Sequence, residues 1–285
     1  MNRRQFLKAA AAGGLGIAGG ARVYGAGLDP ADIDVSRVTL GSRNLPASFH
    51  GLKIVFLSDL HHGSAGVHTD LLERALEMAA AAQPDIICFG GDLITGWSGA
   101  DSLKEFLAMA RGIQAPLGVY ACMGNHEFLW GETNVMREFE RSSIRLLRNE
   151  TVTLKRGEGL LPLIGIDNLY NQKFKSVQDR IRQIESQPAS LVLEHTPDIA
   201  PLFGPDFSGV LLCGHTHGGQ IRLPLIGQAM SSSRYGLRYV AGLYPVAAGS
   251  MYVTRGVGAV LFPARIMCPP EVAVIELSPE QEIPA

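Results

Sequence analysis

The sequence predicts an α/β fold. Short apolar runs alternate with stretches of helical spacing, which is the order expected of strand–helix units. The apolar runs are near-continuous, as in sheets covered on both faces. Almost every run ends in a small cluster of Asp, His, Asn or Gly, the position where open α/β folds gather their ligands. With 285 residues, 46% of them hydrophobic and 18% charged, the chain is able to bury one sizeable core.

Taken in order, residues 27–50 hold Pro30, Pro46 and several polar residues and read as a linker or N-terminal extension, with one strand from Val35 to Leu40. Lys53 to Ser58 is a buried strand. Asp70 to Ala82, rich in Ala, Leu and Glu, is a helix that Pro84 stops. Asp85 to Phe89 is a strand, Ser102 to Arg111 a helix, Gly118 to Met123 a strand and Thr133 to Ser142 a helix. Ile144 to Leu147, Leu160 to Ile166 and Ser190 to Glu194 are strands, with a helix at Ser176 to Glu185. Val210 to Cys213, Met251 to Thr254 and Val272 to Leu277 complete the strands. The later half is strand-richer, so a second sheet is expected. One domain is expected over residues 51–278, with a tail over 279–285.

The first 26 residues read as an address. Arg3-Arg4-Gln5-Phe6-Leu7-Lys8 precedes a weakly apolar Ala/Gly stretch, the layout of an export signal. The order is similar to a twin-arginine signal, which engages the Tat translocase and carries folded proteins across the bacterial inner membrane. The apolar run is shorter than the ~20 residues a membrane span needs. The expected location is therefore the periplasm or cell envelope, with a membrane tether if the signal stays uncleaved. Cys88, Cys122, Cys213 and Cys268 form no C-x-x-C pair, and three lie in apolar runs, so they read as small buried hydrophobes. Outside the address, 21 basic face 27 acidic residues. That balance speaks against general nucleic-acid binding but not against a small phosphate-containing substrate at a cationic site.

Five polar clusters end the strands: Asp59-Leu60-His61, Gly90-Gly91-Asp92, Gly124-Asn125-His126-Glu127, His195, and Gly214-His215-Thr216-His217-Gly218-Gly219. In extended geometry residues i and i+2 face one side, so Asp59 with His61, and His215 with His217, are each expected to face one ion. Asp59, His61, Asp92, Asn125, His195, His215 and His217 make seven candidate ligands, more than the four to six a single ion uses. Two divalent ions ~3.5–4 Å apart, holding a hydroxide that attacks phosphorus, are expected, with the Asp92 carboxylate as bridge. Imidazole and oxygen donors suit Mn, Fe, Zn or Co better than Ca.

Together these motifs resemble the calcineurin-like metallophosphoesterase superfamily over about residues 50–277. The runs Cys213 to Gln220 and Thr254-Arg255-Gly256-Val257-Gly258 make the chain similar to its Tat-exported bacterial phosphodiesterase branch, the YkuE and YaeI type. The resemblance implies a two-sheet β-sandwich flanked by helices in four αββα layers. It implies one metal on Asp59, His61 and His217, a second on Asn125, His195 and His215, and Asp92 between them. It also implies that His126 contacts the phosphate and protonates the leaving oxygen.

For substrate contacts the sequence offers His62 beside His61, Trp130 just after the third cluster, and Arg234 and Arg238 in a loop over residues 231–244. Hydrolysis of a phosphodiester or pyrophosphate bond in an envelope-associated, lipid-linked substrate is the expectation. A UDP-acyl-sugar pyrophosphate hydrolase, a metal-dependent nuclease and a non-catalytic metal-binding envelope protein are the alternatives.

Overall fold

Successive residues of a strand face opposite ways, and the strand Lys53–Leu57 uses this to serve two cores at once. Ile54 and Phe56 join one buried cluster, Val55 and Leu57 another. That double burial is why its sequence is a continuous apolar run. The computed structural model describes residues 23–24, 29–96, 99–223, 227–228 and 231–279. The address over residues 1–26 lies outside them apart from Val23–Tyr24, which pairs with Arg265–Ile266; the tail beyond residue 279 also lies outside.

The main elements in chain order are β1 (Asp34–Gly41), β2 (Lys53–Leu57), α1 (Thr69–Ala81), β3 (Ile86–Phe89), α2 (Gly99–Met109), β4 (Val119–Ala121), α3 (Asn125–Trp130), α4 (Glu132–Phe139), β5 (Arg145–Leu146), β6 (Glu150–Arg156), β7 (Gly159–Gly165), α5 (Phe174–Glu185), β8 (Leu191–Leu193), β9 (Val210–Cys213), β10 (Gly242–Val246), β11 (Gly249–Val253) and β12 (Glu271–Ser278). Two six-stranded sheets result. The first runs β1-β12-β2-β3-β4-β5 and the second β10-β11-β9-β8-β7-β6. β2 to β5 pair parallel, as do β7, β8, β9 and β11.

The sheets face each other across a core that draws on both, including Ile54, Phe56, Ile86, Leu163, Leu191, Leu193 and Leu212. On the outer face of the first sheet, Val55, Ile87 and Phe89 pack with Leu71 and Ala75 of α1, Phe106 of α2 and Val135 of α4. On the outer face of the second, Ile164, Val192 and Leu211 pack with Val177, Ile181 and Ile184 of α5. The order is helix, sheet, sheet, helix, the four-layer sandwich that the family resemblance implied. All four cysteines are buried and free.

Several segments depart from the sequence reading. The strand expected from Val35 to Leu40 is β1, but residues 29–50 are more than a linker: β1 pairs parallel with β12 along all eight of its residues, and Leu40 and Phe49 are fully buried in the inter-sheet core. A boundary at residue 51 would cut through the first sheet. β6 escaped notice because it is an edge strand in which only Leu154 is buried, so polar residues dominate it. β10 is the opposite edge and carries Pro245, which a central strand would not tolerate.

Among the described residues no helix is long and apolar enough to cross a membrane. The inter-sheet core predicts its own test. Phe56→Ala, at a fully buried position, lowers the stability measured by chemical denaturation by about 3–5 kcal/mol. Leu160→Ala on β7, where the side chain is 57% exposed, changes it by less than about 0.5 kcal/mol.

Candidate metal centre

Strands β2, β3 and β4 of the first sheet and β8 and β9 of the second are each followed by a ligand-type side chain. Asp59 and His61 follow β2, Asp92 follows β3, Asn125 and His126 open α3 after β4, His195 follows β8, and His215 and His217 follow β9. The turns that aim them are not extended. Asp59 (φ 54°), His61 (φ 49°), Asp92 (φ 49°), His215 (φ 72°) and His217 (φ 52°) all sit in the left-handed region. The i, i+2 pairs therefore converge by left-handed turns, which correct the extended geometry expected from sequence. A left-handed residue other than Gly costs about 1–3 kcal/mol, and Asp and His tolerate it better than most.

Neighbouring backbone holds these turns. The amides of Asp59 and His61 donate to the carbonyls of Gly91 (3.0 Å) and Asp92 (3.0 Å). The amides of Val257 and Gly258 donate to the carbonyls of Ser58 (3.1 Å) and Asp59 (2.7 Å). Glycine is required where chains come this close: a side chain at Gly258 would overlap the Leu60 carbonyl, and one at Gly124 would overlap the Asp92 carboxylate.

Glu127 ties two ligand loops together. Its buried carboxylate accepts from the amides of Gly124 (2.7 Å), Asp92 (2.9 Å), Leu93 (2.8 Å) and Ile94 (3.3 Å). The sequence placed Glu127 in a motif but assigned it no role. Its signal was the third position of α3, where a Glu satisfies open amides.

The donor atoms form three overlapping groups: Asp59, His61 and His217; His61, Asp92 and His126; Asp92, His195 and His215. Asp92 Oδ2 lies 3.1 Å from His195 Nε2 and 3.7 Å from His61 Nε2. His217 Nε2 is 3.4 Å from Asp59 Oδ1 and 3.0 Å from His61 Nε2. His215 Nδ1 is 3.2 Å from His195 Nε2. The structure thus gathers the candidate donors around Asp92, and Asn125 and His126 line the same cavity.

Burial sets the charges. It lowers His61 to about 3, His215 to about 4 and His217 well below the usual imidazole value, so these rings are neutral. It raises Asp59 to about 6. His195 is pushed down by burial too, but Asp92, Asp59 and the bond to the Gly90 carbonyl outweigh it and raise it to about 10. Burial pushes Asp92 up, but His195, His61 and His126 outweigh it, and the carboxylate lies well below its ordinary value.

This arrangement fits divalent cations. The Nε2 atoms of His61 and His217 stand in contact although both rings are neutral. Asn125 Oδ1 and His215 Nε2 are buried with no hydrogen-bond partner. Neutral nitrogen and oxygen donors converging on carboxylates are the donor set of a transition-metal site.

The four side chains offered as substrate contacts lie elsewhere. His62 Nε2 pairs with Glu105 Oε2 at 2.9 Å. Trp130 packs against the core outside the first sheet, because on α3 it is Leu129 that faces the cavity. The guanidinium of Arg234 lies 4.2 Å over the Tyr170 ring and that of Arg238 5.1 Å over Tyr239. The cavity itself holds about 760 Å³ and is walled beyond the donors by Leu129, Ile221, Leu237, Val260, Leu261 and Phe262. The sequence reading missed this wall because the residues come from four separate segments with no shared motif.

Comparison with known proteins agrees with the geometry. Residues 52–219 match the model of the calcineurin-like phosphoesterase family. An uncharacterized metallophosphoesterase of Bacillus subtilis, YkuE, is 33% identical over 97% of this chain and 98% of its own length. Phosphodiesterase YaeI of Escherichia coli is 33% identical over 79% of this chain and 82% of its own. Among solved structures, the calcineurin-like phosphoesterase YfkN of Bacillus subtilis aligns with a TM-score of 0.44 at 14% identity, over 79% of this chain and 81% of that one. The chain belongs to the calcineurin-like metallophosphoesterase family and is a metal-dependent phosphoric ester hydrolase.

Proposed function

We propose that the chain is a phosphodiesterase that works with two divalent cations, one on Asp59, His61 and His217, the other on Asn125, His195 and His215, with Asp92 shared. The observation that carries this reading is the position of Asp92 Oδ2 between His195 Nε2 and His61 Nε2, which makes one carboxylate common to two donor groups. The name of the relative YaeI supports a diester over a monoester. When bound, such cations lower the pKa of water and offset charge on the phosphate.

The remaining work falls to the chain. Hydrolysis forms a bond from water oxygen to phosphorus, breaks the bond to the leaving oxygen, and gives that oxygen a proton. The proton comes from the attacking water, and His126 serves the step by donating a hydrogen bond to the leaving oxygen. The amide of Gly96 donates to His126 Nδ1 at 3.0 Å, so the neutral ring carries its proton on Nε2. Burial lowers His126, with Asp92 opposing, which keeps the ring neutral at neutral pH. The amide of His126 donates to Asp92 Oδ1 at 2.8 Å, fixing the residue to the shared carboxylate.

Export by the twin-arginine route to the cell envelope is part of the same proposal, as is a membrane tether through an uncleaved N-terminus. Replacing Arg3 and Arg4 with Lys is expected to retain the protein in the cytoplasm on fractionation; continued envelope location would remove this part.

Bis(p-nitrophenyl) phosphate with added Mn²⁺ tests the activity. Chelation abolishes turnover and metal restores it. Asp92→Asn lowers bound metal below two ions per chain by elemental analysis; a variant that still held two would end the shared-carboxylate reading. His126→Ala keeps its metal and loses about 10²–10⁴-fold in kcat. Wild-type turnover from that variant would remove the donor role.

A further inference from the structure

The mouth of the cavity displays apolar side chains to water. Leu129, Leu237, Leu261 and Phe262 line it and are between 54% and 76% exposed. Contiguous exposed apolar surface beside a site marks a binding surface more often than chance.

Both lips are held in place. On one, buried Gln220 donates from Nε2 to the carbonyls of Val260, Phe262 and Ala264 and accepts at Oε1 from the Val260 amide, all within 3.0–3.1 Å. Leu261 is kept left-handed there at φ 65°. Fully buried Arg265 donates to the carbonyls of Gly258, Arg255 and His217, tying the same loop to the turn that carries His217. On the other lip, Asp198 accepts from the Ser233 hydroxyl and the Arg234 amide, and the Ser232 hydroxyl donates to the His215 carbonyl at 2.6 Å. An exposed leucine at a strained position, fixed by a buried amide, is a displayed side chain.

Charge narrows the occupant. Among the described residues no Lys or Arg lines the cavity, so nothing there clamps a second phosphate. A volume near 760 Å³ is that of a pocket enclosing a whole small molecule, of which a phosphoryl group fills only the floor.

We propose that the group esterified to the reacting phosphate is an aliphatic chain, lying along Leu129, Leu237, Leu261 and Phe262 at the mouth of the cavity. The proposal rests on the phosphodiesterase reading and names its substrate class.

A series of p-nitrophenyl alkyl phosphates, ethyl to dodecyl, tests it. Water adds to phosphorus, p-nitrophenolate leaves and the alkyl phosphate remains. The value of kcat/KM is expected to rise about twofold to fourfold per methylene until the lips are covered. Leu261→Ser combined with Phe262→Ser flattens the rise, whereas Leu160→Ser, equally exposed but outside the cavity, preserves it. Calorimetry with dodecyl phosphate gives a negative heat-capacity change that the double variant loses.

A rise with monomeric substrates in solution assigns a chain taken up from water. A rise seen only in phosphatidylcholine vesicles assigns a chain presented by a bilayer. Hydrolysis of the ethyl ester without chain-length dependence overturns this inference and leaves the phosphodiesterase. A rise undiminished in the double variant also overturns it. Failure to hydrolyse any diester with Mn²⁺ overturns both.

Discussion

A carboxylate buried away from water is tolerated only when its charge is compensated, and Asp92 is such a group, 2% exposed at the meeting point of both sheets. Its Oδ1 takes the His126 amide, its Oδ2 faces His195 and His61, and its own amide goes to Glu127. Asp59 and Glu127 lie in the same region, where burial and the Asp92 charge both raise them. Four rings around these acids, His61, His126, His215 and His217, are held neutral, so none of them balances the acids' charge. The His195 proton offsets part of it. That proton must leave before the ring can serve a cation, which makes proton and metal competitors for one position.

The backbone supports this arrangement at a cost. Five donor residues in left-handed turns, at about 1–3 kcal/mol each, together approach the ~5–15 kcal/mol net stability of a domain. The structure sustains them because each turn is braced by an element of another loop. The Val257 and Gly258 amides brace the Asp59 turn, the His195 carbonyl accepts from the Gly214 amide, and the Asp59 carboxylate accepts from the His215 amide. The two sheets thus hold each other's ligand loops, and the inter-sheet core beneath is what keeps the ends of β2, β3, β8 and β9 in register.

What could be read from sequence was whatever had a local signature. Residues 53–57, 86–89 and 210–213 are apolar runs bounded by polar clusters, and all form buried strands. The seven candidate donors were legible because each follows such a run. What could not be read was set by distant partners. The strand from Val35 to Leu40 was legible, but that it belongs to the first sheet was not, because its partner β12 lies some 230 residues away. The short helix α3 was hidden behind its own motif. Arg234 and Arg238 have the chemistry of a phosphate clamp, yet whether an arginine points at a site depends on aromatic neighbours such as Tyr170 and Tyr239, which no spacing rule supplies.

That orientation bears on specificity. Groups that act on phosphorus treat every diester alike, because they touch only the atoms all diesters share. Discrimination has to come from binding energy at parts of the substrate that do not react, used to favour the transition state. Here the cavity offers such parts Leu129, Leu237, Leu261 and Phe262, while the nearby guanidinium groups are held against tyrosine rings. A methylene removed from water is worth ~0.8 kcal/mol, so a few carbons on those lips outweigh a typical exposed ion pair. With the cations of the neighbourhood occupied elsewhere, hydrophobic contact is the discriminating force that the mouth of this site has to offer.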